Sequence, residues 1–125
     1  MSLILDSAAL VALERNERPM WIRLKTAEAS GQVPVTHGGV LGQVWRGDRR
    51  QARLAQALRG VDIRPLDLRL GRAAGELLAA AGSSDVIDAA LLLLSADGDD
   101  IVTSDHSDFE QLAAAADRHV ELIHP

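Results

Sequence analysis

The chain has 125 residues, no cysteine and a formal net charge of −5. That length suits a single domain, because one core is marginal below roughly 60 residues and divides above roughly 250, and 47% hydrophobic against 25% charged residues excludes a disordered chain. The missing cysteines exclude disulfides and thiolate metal sites and point to a cytoplasmic setting, the acidic balance excludes a general nucleic-acid coat, and the longest apolar run, residues 89–94, is too short for the roughly 20 residues of a membrane span.

In chain order, Leu3-Ile4-Leu5 reads as a buried strand that stops at Asp6-Ser7. Helices are expected from Ser7 and from Pro19, the second carrying Trp21, Ile22 and Leu24 as apolar residues available to a partner. Gly31 closes that helix, Val33-Pro34-Val35 forms the second strand, and a helix follows from His37, with Trp45 expected in the core. Leu54, Ala57 and Leu58 have helical spacing in the run that starts near Arg49 and stops at Gly60. Residues 61–66 form the third strand, followed by a helix from Leu68 to Gly82 and another from Ser84 to Gly98. Ile101-Val102-Thr103 is the fourth strand, a helix begins near His106, and residues 120–123 form the fifth strand. Strands alternating with helices predict a three-layer α/β domain over residues 1–125, a five-stranded parallel sheet between helices.

In such a sheet, ligands bind beyond the carboxyl ends of the strands. Asp6 and Asp105 follow the first and fourth strands, and Asp85 opens the helix that leads into the fourth. Asp88 lies one turn beyond Asp85 on the same helical face. Two carboxylates about 4 Å apart repel by about 4 kcal/mol at an effective dielectric near 20, so such a cluster requires protons or a hard cation, for which magnesium suits all-oxygen ligands. Helix capping is the competing role for Asp85 and Asp105. Asp6 resists it, because it ends a strongly apolar strand where an unpaired charge is costly. For Asp108, a full turn into the last helix, the structural role at the helix start is favoured over a place in the pocket, and His119 and His124 are assigned to the surface. His37 and His106 are set aside as acids or ligands. Positive charge gathers at Arg46, Arg49, Arg50, Arg53 and Arg59, the candidate phosphate-binding face.

Four segments, Leu5-Asp6-Ser7-Ala8, Gly42-Gln43-Val44-Trp45-Arg46-Gly47, Ser84-Asp85-Val86-Ile87-Asp88-Ala89-Ala90 and Thr103-Ser104-Asp105-His106-Ser107-Asp108-Phe109, in this order and spacing, resemble the PIN domains. Within that family the chain is most similar to the VapC-type toxins of VapBC toxin-antitoxin systems. The resemblance implies a metal-dependent endoribonuclease with Mg2+, or Mn2+, at Asp6, Asp85 and Asp105, with Asp88 as an auxiliary catalytic group and Ser7, Gln43 and Thr103 lining the pocket. It also implies an RNA substrate, a cognate VapB-type antitoxin and a homodimer. Gln43 stands where the family usually has a glutamate. An amide oxygen can coordinate a cation or its water but brings no charge, so a PIN-fold module that binds without turnover is the alternative. A receiver-type phosphoacceptor would need a late lysine, and the single lysine is Lys25.

Overall fold

The computed structural model describes residues 1–125. Five three-residue strands, β1 (Leu3–Leu5), β2 (Val35–His37), β3 (Asp62–Arg64), β4 (Asp100–Val102) and β5 (Glu121–Ile123), pair in parallel in the order β3-β2-β1-β4-β5. The helices are α1 (Ser7–Glu14), α2 (Arg18–Ala29), α3 (Gly38–Val44), α4 (Ala52–Leu58), α5 (Leu68–Ala81), α6 (Val86–Leu93) and α7 (His106–Ala115), with a 3-10 turn over Arg49–Gln51. The predicted three-layer α/β architecture is thus the observed one.

Strand order and handedness together decide the layers. The chain steps from β1 to β2 to β3 in one direction across the sheet, then returns past β1 to β4 and β5. Right-handed crossovers running in opposite directions place their helices on opposite faces. Accordingly α1 packs with α2, α3 and α4, while α5, α6 and α7 pack with one another. The reversal falls between β1 and β4, so their carboxyl ends flank the crevice of a topological switch point. Their register sets Leu3 beside Asp100, Ile4 beside Ile101 and Leu5 beside Val102. Asp6 and Thr103 therefore leave the sheet side by side.

The core is continuous from Leu3, Ile4 and Leu5 through Leu10 and Leu13 on one side to Leu91, Leu92, Phe109 and Leu112 on the other. β1, flanked on both sides and covered on both faces, is fully buried, which explains its unbroken apolar run. The second strand begins two residues later than expected. Pro34 has no N–H for a ladder and contributes only its carbonyl, which accepts from the Asp62 amide at 2.8 Å. Gly82 ends α5 at φ +67°, the left-handed cap that glycine adopts without a Cβ penalty.

Two expectations change. Trp45 is not a core residue: it is 40% exposed at the carboxyl cap of α3, where the chain has already turned to extended backbone. Of the three residues on α2 expected to meet a partner, Leu24 is wholly buried and Trp21 is half-buried with its Nε1 donating to the Leu13 carbonyl, which leaves Ile22 exposed. The amphipathic period of α2 turns Leu24 and Met20 inward together, four residues apart.

Candidate metal centre

Asp6 follows β1 directly, and its buried carboxylate has two partners. Oδ1 accepts the Ser7 amide at 2.7 Å, and Oδ2 accepts the Thr103 hydroxyl at 2.7 Å. That hydroxyl, itself fully buried, also accepts the Asp105 amide at 3.0 Å. One side chain at the end of β4 thus fixes the acid of β1 and the backbone of the acid that follows β4. Ser7 supplies its amide and lies half-buried beside the same carboxylate.

Asp85 caps α6, its Oδ1 accepting the Asp88 amide at 3.1 Å, so for this residue capping is observed. Asp88, in the first turn, is buried and accepts no hydrogen bond from the protein. Asp105 stands at the amino end of α7 but makes no side-chain cap bond there. Its carboxylate lies against that of Asp108 instead.

Carboxylate oxygens of Asp88, Asp105 and Asp108 lie within 4.8 Å of one another. The sequence leaves Asp108 to a structural role at the start of its helix; the structure brings it into the cluster. The helical turn from Asp105 to Asp108 repeats the spacing of Asp85 and Asp88, and that repeated three-residue step was the available signal. Around this trio stand Asp6 and Asp85, close enough to act on the others' charge.

The electrostatics follow from the crowding. Burial, then the charges of Asp6, Asp85, Asp105 and Asp108, push the Asp88 carboxyl up to about 7. Burial raises Asp6 as well, against the lowering effect of its bonds from Thr103 and Ser7. Asp105 raises Asp108 through its charge. No lysine, arginine or histidine forms an ion pair with any of the five acids. An all-oxygen set with unbalanced negative charge fits a hard divalent cation.

Gln43 is exposed on α3 with a side chain that makes no hydrogen bond, and its backbone carbonyl accepts from Arg46. The Arg46 guanidinium donates to the carbonyls of Gly42, Gln43 and Trp45, so it closes the carboxyl end of α3. Arg50 pairs with Asp48 at 3.3 Å in solvent. Arg49, Arg53 and Arg59 are exposed and make no ion pair. His37, the last residue of β2, is fully buried with its Nε2 2.9 Å from the Ile87 carbonyl of α6, and His106 bonds the Thr103 carbonyl through Nε2 at 3.2 Å with its ring 6.3 Å from that of His124.

A parallel five-stranded sheet in this order, sandwiched by helices with acids at the switch point, is a PIN-like fold. The chain superposes on a chain of the crystal structure of VapBC2 from Rickettsia felis bound to a DNA fragment from their promoter, with a TM-score of 0.72 over 98% of each chain at 16% identity. No protein-family model and no curated protein matches the sequence.

The raised Asp88 carboxyl has a measurable consequence. Its folded pKa of about 7 lies above the ordinary 3.8, so the fold favours the protonated acid. That contribution is complete below the ordinary value and is lost as pH rises through about 7. The melting temperature of metal-free protein should fall over this window, the fall should shrink in Asp88→Asn, and magnesium should restore stability above the window far more than below it. Superimposable pH profiles for the two proteins would show that Asp88 carries no such strain.

Proposed function

We propose that this protein is a metal-dependent endoribonuclease of the VapC type, hydrolysing RNA phosphodiesters at the acidic crevice between β1 and β4. The observation that carries the reading is the meeting of Asp6, Asp85, Asp88, Asp105 and Asp108, unbalanced by any cation of the protein, at the switch point of a PIN-like fold. Asp105 belongs both to the metal set expected from the sequence and to the trio whose oxygens converge. Asp88, Asp105 and Asp108 would hold the ion, with the charges of Asp6 and Asp85 beside them adding to the attraction. A bound magnesium or manganese ion supplies Lewis acidity toward the phosphate and activates water.

The chain's own groups supply the rest. Thr103 holds Asp6 in one orientation and leaves the Asp105 carboxylate facing the crevice. Asp88 is the acid of the crevice most in need of a counter-charge, since burial and its neighbours raise its carboxyl in the metal-free protein and a bound cation would return it to the ionised form. Phosphate contacts along the RNA fall to Arg49, Arg53 and Arg59, with Arg50 after release from its solvent-exposed partner Asp48. Arg46 contributes by shaping the end of α3 beside them. The related assembly contains VapB and VapC components, as its designation VapBC2 states, which supports a VapB-type antitoxin as partner here. A homodimer and a cytoplasmic setting complete the reading. No helix is long and apolar enough to cross a membrane.

The neutral Gln43 favours a second reading, a PIN-fold module that binds RNA or antitoxin without turnover. A cleavage assay on fluorescent RNA separates the two. The wild type should cut with magnesium or manganese and stop with chelator, and Asp6→Asn should lower the rate about a hundredfold or more. Cleavage that survives the substitution rules out the crevice as the active site, and no cleavage with either ion leaves the binding module.

RNA affinity provides an independent check on the basic face. Neutralising Arg49 and Arg53 together should weaken binding and flatten its dependence on salt by about one to two units of slope. An unchanged slope would place the phosphates elsewhere.

A further inference from the structure

We infer that His37 is a positioning residue that sets the first turn of α6, and with it Asp88, against the sheet; the inference rests on the nuclease reading for its purpose and on geometry for its existence. His37 ends β2 and is wholly buried. Its Nδ1 accepts the Gly39 amide at 3.0 Å, and its Nε2 lies 2.9 Å from the Ile87 carbonyl. A backbone amide can only donate and a carbonyl can only accept. The ring must therefore be neutral, bare at Nδ1 and protonated at Nε2.

The two bonds do different work. The first caps α3. Serine, threonine, aspartate or asparagine would serve that role at least as well, so capping alone gives no reason for an imidazole. The second crosses to α6, between residues 50 positions apart in sequence. Ile87 sits between Asp85, which caps α6, and Asp88, which faces the acidic cluster. A rigid ring with nitrogens on opposite sides can cap one helix and hold the other, which no short polar side chain can reach to do.

The surroundings are built for this contact. A Cβ on Gly39 would stand 2.6 Å from Ile87 Cδ1 and 2.9 Å from His37 Cε1. The Ile87 tip can turn away, but the ring is held at both nitrogens. Glycine at position 39 thus lets the start of α3, the imidazole and the start of α6 meet. The crowding of Asp88 against four other carboxylates tends to push the first turn of α6 away from the crevice. The His37 bond ties that turn to the end of β2.

The test uses His37→Asn, which keeps the cap on α3 and loses the reach to Ile87. Amide exchange at Asp88 and Ala89, in the first turn of α6, should quicken about tenfold while amides of α3 and α7 keep their protection. Manganese affinity, followed by calorimetry, should fall about tenfold. In an Asp88→Asn background the same change should leave the remaining manganese affinity unaltered. Unchanged exchange in His37→Asn overturns the inference. If the wild type binds no manganese, the nuclease reading fails while the exchange data still decide on His37. Should His37→Asn not fold, the ring 15N shifts of the wild type decide instead: the Nε2-protonated tautomer supports the clamp, and the Nδ1-protonated tautomer or a charged ring overturns it.

Discussion

The hydroxyl of Thr103 joins the two central strands where they leave the sheet. It donates a hydrogen bond to the Asp6 carboxylate and accepts one from the Asp105 amide. A carboxylate buried at the end of an apolar strand is costly without donors. Asp6 meets that cost with two, one local and one from the neighbouring strand. Because β1 and β4 are 97 residues apart at this contact, the bond can form only after the sheet has closed in register. The geometry of the acidic crevice is therefore a consequence of correct strand pairing.

Around that anchored pair the remaining acids arrive on helix amino termini. Asp85, Asp88, Asp105 and Asp108 all belong to the caps or first turns of α6 and α7. A helix start favours negative charge by its dipole and free amides, which lets two helices bring four carboxylates together. Burial, and then their mutual repulsion, outweighs that compensation at Asp88, whose carboxyl rises to about 7. Excess negative charge with oxygen-only donors is the arrangement a hard cation relieves.

Much of this was legible in the sequence because it depends on local pattern. The apolar run of β1, the glycine at the end of α5 and the Asp-Ser and Thr-Ser-Asp strand ends are readable without the fold. What depends on long-range approach was not. Asp108 joins the cluster only because α6 and α7 begin side by side, and a residue one turn into a helix gives no sign of which neighbour it faces. Arg46 reads as a cation for phosphate, yet three carbonyls at the end of α3 hold its guanidinium. Trp45 reads as core by its size, but α3 ends before it and leaves it at the surface. His37 carried no motif, since its second partner lies 50 residues away.

Burial alone does not mark a functional acid, as Asp99 shows. Asp99 and Asp88 are equally enclosed, each 6% exposed. Asp99, at the amino end of β4, accepts the Ser2 amide at 2.6 Å and the Ala96 amide at 2.8 Å, and so ties the first residues of the chain to the loop before that strand. Its acceptor capacity is met by the backbone, and its role ends there. Asp6 is met in part by a side chain that also orients Asp105. Asp88 receives nothing from the protein and faces only other acids. Asp99 and Asp6 each receive two donors from the fold, and Asp88, inside the cluster, receives none. The unmet demand at that end of the sheet is what a cation and its waters can fill.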